Sequence, residues 1–203
     1  DNLSMQEREF GEKWARRIGH KVGAEALKVI ADAEPGEVTP LAAVTRQIRL
    51  KTREVSEERF EAALKTVRTE PDTGGDWVFA RDEVLLHEAN KWEPEVPAEI
   101  QVIQIGPAAY AANPAEYFCQ FGLNIKARSN FPYTWVVELA NGCVGYVPTA
   151  EALSSQGGGY ETRLAMSSKL VPEAGGQIED ASVDLLNSLT PGQEPPRPTL
   201  SQP

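Results

Sequence analysis

The spacing of the apolar residues changes repeatedly along the chain, and this alternation restricts the fold more than any other feature of the sequence. Near the N-terminus apolar residues recur at every fourth position, which is typical of one helix face: Phe10, Trp14, Ile18, Val22 and Ala26. In residues 44–50 the period is two, because Val44, Arg46, Ile48 and Leu50 alternate with Thr45, Gln47 and Arg49, as in a half-buried strand. Because helical and strand periods keep alternating, we expect an α/β domain with a layered sheet and flanking helices, with α+β as the alternative.

Capping signals indicate where the helices begin. Capping side chains, or a proline suited to the first helical position, mark four expected starts: Ser4, Ser56, Asp76 and Pro114. Ser4 is strengthened by Glu7, which completes a capping box, and this first helix should end before Pro35. A last helix is predicted from four residues that share one face: Ile178, Ala181, Leu185 and Leu189.

Short apolar runs at residues 100–105 and 108–112, split by Gly106-Pro107, predict two strands or one bent strand. Another strand is predicted at residues 134–139, and Asn141-Gly142 supplies a turn. Residues 93–97 contain two prolines and are interpreted as the best internal linker. The last residues, 191–203, are rich in proline and cannot continue as helix or sheet. We therefore expect residues 1–190 to form the folded part and residues 191–203 a proline-rich flexible tail.

Charge and hydropathy exclude several classes of protein. The 20 Lys and Arg residues against 30 Asp and Glu give a net charge of -10, which opposes binding to nucleic acid. No apolar run approaches the roughly 18 residues that a membrane span requires. The chain begins at Asp1 and not at Met, so we expect a processed product or a piece of a longer protein. Cys119 and Cys143 fit neither a redox motif nor a zinc knuckle, and we expect partly buried free thiols.

Side chains commonly used in catalysis are sparse. His20 and His87 fall on predicted helices far apart in sequence, so a Ser-His-Asp triad is poorly supported and each imidazole is expected to be exposed or locally satisfied. Residues 157–159 are three glycines, but the Lys-Ser/Thr ending of a phosphate-binding loop does not follow them. We interpret this run as a hinge.

Glu116 and Tyr146 each follow the end of a predicted strand. Glu116 follows a buried strand in Asn113-Pro114-Ala115-Glu116, at the type of sheet edge where ligands usually bind. Its carboxylate can also serve only to complement the dipole of the following helix, and position alone favours that structural role. Tyr146 follows another strand and turn, and a buried tyrosine is usually a core residue whose hydroxyl has found a partner.

At these residues the sequence resembles the neutral/alkaline ceramidases and their bacterial relatives. Three segments carry the resemblance in order: Asn113-Pro114-Ala115-Glu116, the Asn-Gly-x-x-Gly-Tyr-x-x-Thr segment from Asn141 to Thr149, and Gly159-Tyr160-Glu161. The similarity runs from the first helix to about Leu189 and is strongest from Ile100 onward. It implies that residues 1–190 are the C-terminal part of a larger, ceramidase-like catalytic domain.

The resemblance implies a zinc-dependent hydrolase that uses metal-activated water to cut the N-acyl amide of ceramide or of a related lipid amide. Glu116 and Tyr146 match two zinc ligands, and Tyr160 matches the catalytic tyrosine that donates to the amide carbonyl oxygen. Zinc lowers the pKa of bound water to about 7. In the family two histidine ligands, an arginine and a serine belong to the N-terminal half, so the zinc site in this chain is expected to be incomplete and the fragment alone inactive.

The resemblance also indicates partners. These are a lipid amide substrate, the missing N-terminal half of the catalytic domain and a peripheral membrane surface, in a secreted or periplasmic location. Ala115 in place of a glycine, and the glycine-rich insertion before Tyr160, are expected to reshape the substrate pocket. The alternatives are a non-catalytic binding or structural module of the same superfamily, or a self-contained domain. In the last case Glu116 and Tyr146 should lie far apart, whereas a shared metal requires their oxygens within about 5 Å.

Overall fold

A computed structural model describes residues 11–33, 36–69 and 74–194, and the chain divides into two compact units, residues 1–37 and residues 38–203. The first unit contains helix α1 (Glu12–Ala31), which buries none of its residues. The predicted helix is thus confirmed, while its proposed capping box at Ser4 and Glu7 lies outside the described residues. Neither α1 nor any other described helix is long and apolar enough to cross a membrane.

The second unit is a mixed sheet with flanking helices. Its elements are β1 (Leu41–Lys51), α2 (Glu57–Thr69), α3 (Gly75–Asn90), β2 (Glu95–Ile105), β3 (Ala108–Ala112), β4 (Ala115–Tyr117), α4 (Cys119–Arg128), β5 (Tyr133–Val137), β6 (Gly145–Val147), α5 (Ala150–Leu153), a 3-10 turn (Tyr160–Thr162) and α6 (Ala174–Asn187). Strands β1, β2, β3 and β5 form one sheet in that order, and β4 pairs with β6 in a second, smaller sheet. This architecture confirms the predicted α/β class.

Helix α6 covers one face of the four-stranded sheet. Ile178, Ala181 and Leu185 are buried along one side of this helix, as their spacing predicts. They belong to the main core cluster, together with Ile100 and Val102 of β2. The core packs on this sheet. In it, β1 pairs with β2 and β2 with β3 in antiparallel fashion, whereas β3 and β5 are parallel.

The opposite face of the same sheet is apolar and exposed. Side chains alternate across a strand, so Val102 is fully buried while its neighbour Ile103 is 41% exposed. The register continues this row through Tyr110 to Trp135, whose rings stack with centroids 5.1 Å apart. We call this surface the aromatic face. Its large exposed side chains are Leu41, Ile103, Ile105, Tyr110, Tyr133, Trp135 and Val137.

The prediction of a linker at residues 93–97 is wrong, because β2 already begins at Glu95. Pro97 lies inside this strand, opposite Arg49 of β1. The strand accepts a proline there because β3 pairs only with residues 101–105, which leaves Pro97 with a neighbouring strand on one side only. Helix α3 also departs slightly from prediction, since Gly74 and not Asp76 is its N-cap.

The beginning of the predicted tail makes contacts with the sheet. The Gly192 N–H donates to the Gly106 carbonyl at 2.9 Å, and the Tyr133 hydroxyl donates to Glu194 Oε2 at 3.1 Å. Residues 195–203 lie outside the described residues. The boundary at residue 190 stays a prediction.

The cysteines and histidines have ordinary structural surroundings. Cys119 and Cys143 are free, as expected, but the expectation of partial burial is wrong because both are exposed: one begins α4 and the other lies in the turn before β6. His20 is exposed on α1. His87 is buried and stacked on Phe60 with ring centroids 4.0 Å apart, and its nitrogens lie 3.2 and 3.3 Å from carboxylate oxygens of α2 and α3. It is locally satisfied, as predicted.

Candidate functional site

Glu116 lies on a strand and not in the first turn of a helix. The prediction that Pro114 begins a helix is wrong, because β4 follows directly and α4 begins only at Cys119. Asn113 accounts for the difference: its Oδ1 accepts the Ala115 N–H at 3.0 Å, a local side-chain bond that competes with helix formation. The interpretation of Glu116 as a residue that only complements a helix dipole therefore fails.

The pairing of β4 with β6 brings the two predicted ligands together. The strands are parallel, and their register places Glu116 directly opposite Tyr146. Neighbouring strands lie about 4.8 Å apart, and residues in register project from the same face of the sheet. Two residues separated by 29 others in sequence are thus adjacent in the fold, as a shared metal requires.

Tyr160 joins the same cluster from the 3-10 turn. Its hydroxyl oxygen lies 3.1 Å from that of Tyr146, within hydrogen-bond distance, and the two rings meet edge to face with centroids 5.6 Å apart. The Tyr160 side chain is 60% exposed, so its hydroxyl is accessible to a ligand. The structure therefore brings all three predicted site residues into one group.

The electrostatics of the group favour a protonated Tyr146. The hydrogen bond with the Tyr160 hydroxyl, and secondarily the Glu116 carboxylate, raise the pKa of the Tyr146 phenol well above its ordinary value. Loss of the proton would remove the hydrogen bond that the Tyr146 hydroxyl can donate, and would place a phenolate beside the negative Glu116 carboxylate. Tyr146 is therefore a neutral phenol at physiological pH.

Gly145 allows β6 to approach the segment before α6. Its φ of +88° is in the region that disfavours side chains, and a Cβ at this position would collide with the Ser167 carbonyl. That same carbonyl accepts the Tyr146 N–H at 2.7 Å. Glycine at position 145 is thus what lets the backbone of Tyr146 bind Ser167.

The back of β4 is anchored in the core. Tyr117 projects to the face opposite Glu116, stacks on Phe121 with centroids 4.7 Å apart and donates its hydroxyl to the Gly175 carbonyl at 2.6 Å. Burial raises the pKa of Tyr117 far above its ordinary value. Its N–H also donates to Glu138 Oε2 at 2.8 Å. These bonds fix β4 and with it the direction of Glu116.

Sequence reasoning missed Arg53, which lies just beyond the end of β1. Its guanidinium donates to the Thr162 carbonyl at 3.2 Å and to Ser168, in the segment that carries Tyr160. A single arginine that follows a strand belongs to no motif, and its partners lie more than a hundred positions further along the chain. No sequence signal could have identified it.

The donor set of the group fits part of a metal site. Glu116 supplies a carboxylate and Tyr146 a phenol oxygen on adjacent strands, and zinc accepts oxygen ligands of the carboxylate type. In residues 11–33, 36–69 and 74–194, no three His, Cys, Asp or Glu side chains come together as a metal-holding group. Since catalytic zinc usually has three protein ligands, these two residues can form only part of such a site.

Solved structures share this fold. No protein-family model and no curated protein matches the sequence. Neutral ceramidase from Pseudomonas aeruginosa superposes on 96% of this chain with a TM-score of 0.58 and 18% identity. A ceramidase complexed with C2 superposes on 92% with a TM-score of 0.51 and 17% identity. This chain spans 37% and 36% of their respective lengths. The likeness confirms, at the level of the fold, the predicted resemblance to part of a bacterial neutral ceramidase.

Gly145→Ala should destabilise the protein by about 1–3 kcal/mol, because it places a side chain at a disfavoured φ and against a carbonyl. Gly176→Ala is the matched control: position 176 lies in α6 with open space around a Cβ, and alanine should stabilise a helix there by up to about 1 kcal/mol. Urea unfolding of the two variants measures the difference. A Gly145→Ala variant as stable as the original chain would contradict the close approach.

Tyr160→Phe should lower the pKa of Tyr146 toward the ordinary value of about 10, since it removes the largest cause of the upward shift. The neighbouring Glu116 carboxylate should keep the pKa above that value. NMR titration with carbon-13 at the tyrosine ring carbon that bears the hydroxyl measures this, with Tyr146→Phe to assign the signal. Tyr110→Phe, on the aromatic face, is the control and should leave Tyr146 unchanged; an unchanged Tyr146 signal in Tyr160→Phe would disprove the contact.

Proposed function

We propose that this chain is the C-terminal part of the catalytic domain of a zinc-dependent amidohydrolase resembling neutral ceramidase, acting on the N-acyl amide of ceramide or a related lipid amide. The observation that supports this proposal most is the register of β4 and β6, which sets Glu116 opposite Tyr146. The Tyr160 hydroxyl is hydrogen-bonded with the Tyr146 hydroxyl. This group occurs in a chain whose fold is shared with solved ceramidases.

Each residue of the group has a role in this proposal. Glu116 and Tyr146 would hold the zinc ion together with ligands outside this chain. When bound, the ion activates water and polarises a carbonyl oxygen. The exposed hydroxyl of Tyr160 is available to donate a hydrogen bond to the amide carbonyl oxygen, where negative charge develops.

Proton release accompanies ligand binding at Tyr146. A phenol must lose its proton to act as a metal ligand, and the raised pKa of Tyr146 means that this proton is firmly held in the absence of metal. Zinc affinity should therefore increase with pH. The group supplies one carboxylate, one ligand phenol and one donor phenol, each with a separate role.

A non-catalytic binding or structural module of the same superfamily is the second candidate. It is favoured by the small number of ligands that the described part of the chain brings together. With Glu116 and Tyr146 alone, a metal has too few protein ligands for catalysis. The two candidates differ in what the full-length protein does to a lipid amide.

The aromatic face supports a proposal about the partner. The chain spans little more than a third of the solved ceramidases, and its four-stranded sheet exposes a contiguous apolar surface. We propose that the N-terminal part of the catalytic domain covers the aromatic face. Such an interface would bury this apolar surface.

In the full-length protein, Glu116→Gln and Tyr146→Phe should each lower zinc content and reduce hydrolysis of a fluorescent ceramide by about 100-fold or more, because even residues that only support metal ligands cost 10–100-fold. Glu61→Gln, an exposed carboxylate of α2, is the matched control and should leave both unchanged. Metal analysis and the hydrolysis assay check this. Unchanged zinc and hydrolysis in both site variants would remove the assignment, and zinc binding without any amide hydrolysis by the unmodified protein would favour the non-catalytic module.

An Ile103→Cys substitution tests the partner. In this chain the new thiol should react with iodoacetamide about as fast as exposed Cys119, whereas in the full-length protein it should react at least about tenfold more slowly than Cys119, because buried thiols are inert. Peptide mass spectrometry measures both sites in one sample. Equal labelling of the two thiols in the full-length protein would show that nothing covers the aromatic face.

A further inference from the structure

One loop makes contacts with both tyrosines of the site. Residues 160–168, which we call the tyrosine loop, begin with Tyr160 itself, whose hydroxyl meets that of Tyr146. Near the other end of the loop, the Ser167 carbonyl accepts the Tyr146 N–H. The position of the loop therefore sets the orientation of Tyr160 and the backbone of Tyr146 together.

Arg53 binds both ends of the tyrosine loop. Nη1 donates to the Thr162 carbonyl at 3.2 Å, while Nη2 donates to the Ser168 carbonyl and lies 3.1 Å from Ser168 Oγ. Arg53 is itself held in place, since its N–H donates to the Lys169 carbonyl at 2.6 Å and its carbonyl accepts Asn90 Nδ2 at 2.8 Å. Ser168 is 1% exposed, so this junction is buried.

The chemistry of the contact is specific for a guanidinium. The planar fork presents several donors in fixed directions and can bind carbonyls at both ends of a loop, which a single ammonium group cannot do. Burial and, after it, the charge of Arg59 lower the pKa of Arg53, yet an arginine side chain stays charged. Within the described part of the chain, Arg53 makes no ion pair with a carboxylate. Its guanidinium instead donates hydrogen bonds to the Thr162, Arg163 and Ser168 carbonyls of the loop.

The outer side of the loop rests on the α2–α3 pair. Leu164 and Met166 pack in a small second core with Val55, Phe60 and Leu86. Next to it, the Arg163 guanidinium lies 3.6 Å from the centre of the Phe79 ring and 3.3 Å from Asp76. These contacts support the middle of the loop, whereas Arg53 connects its two ends.

We infer that Arg53 is a positioning residue, which orients Tyr160 against Tyr146 by binding both ends of the tyrosine loop. The orientation itself does not depend on the proposed function; only its consequence for amide hydrolysis does. In the full-length enzyme, loosening the loop should lower kcat more than it raises KM, because Tyr160 acts where charge develops in the transition state.

NMR of the 203-residue chain tests the positioning without any activity. In Arg53→Lys, amide exchange at Tyr146 should accelerate by about tenfold or more, which is the effect expected from losing charge-assisted hydrogen bonds. The nuclear Overhauser contact between the Tyr146 and Tyr160 rings should weaken, while amides of β2 exchange as before. Arg46→Lys is the control, because Arg46 pairs with exposed Asp184 at 2.9 Å on another surface.

Unchanged Tyr146 exchange and ring contact in Arg53→Lys would overturn the inference. Should this variant not fold, Ser168→Ala decides: it removes one acceptor of the guanidinium, and Tyr146 exchange should still accelerate by about threefold or more. No acceleration there would equally overturn the inference. If the exchange changes as expected but the unmodified full-length protein hydrolyses no lipid amide, the positioning role stands and the proposed function fails.

Discussion

The pairing of two three-residue strands, β4 and β6, is the constraint on which the candidate site depends. Two short strands are marginal by themselves, so their neighbours must supply stability. Asn113 closes the turn before β4, Tyr117 anchors its back to Gly175, and Ser167 binds the backbone of β6. The register that sets Glu116 opposite Tyr146 is therefore a product of the surrounding fold.

The same surroundings explain why the site is accessible while its support is buried. Asn113 and Ser168 are each 1% exposed, whereas Tyr160 is 60% exposed. Hydrogen bonds from the Ala115 N–H to Asn113 Oδ1 and from Arg53 to Ser168 hold this buried support, although Asn113 Nδ2 and Arg53 Nε have no partner among the described residues, and the exposed phenol of Tyr160 is free to bind a ligand. In this arrangement Tyr146 lies between the two kinds of environment: its N–H donates to the Ser167 carbonyl, and its hydroxyl is hydrogen-bonded with that of Tyr160.

Periodicity predicted much of the fold but not the geometry of the site. The apolar stripe of α6 and the alternation in β1 are long enough to indicate their elements, and the structure confirms both. Strands of three residues are too short to show a period, so the sequence does not indicate β4, and Pro114 instead favours the start of a helix. The prediction of a linker at Pro97 failed for a different reason: a proline is excluded from a strand only where both sides of the strand are paired, and Pro97 is paired on one side only.

The candidate residues came from two sources. Position in the sequence favours structural roles for Glu116 and Tyr146, and only the resemblance to ceramidases assigns them to one site with Tyr160. Neither source indicates Arg53, because its contacts join segments that are distant in sequence and a single arginine forms no motif. Long-range hydrogen bonds to backbone carbonyls produce no residue pattern that a single sequence shows.

The most direct test of this account is the contact between Glu116 and Tyr146 in the isolated chain, measured as nuclear Overhauser effects between the side-chain methylenes of Glu116 and the ring protons of Tyr146. A shared site predicts clear cross-peaks, accompanied by contacts between the backbones of β4 and β6. Absence of these cross-peaks in a folded protein, with Glu116 in contact with other residues, would contradict the shared site and with it the proposed hydrolase.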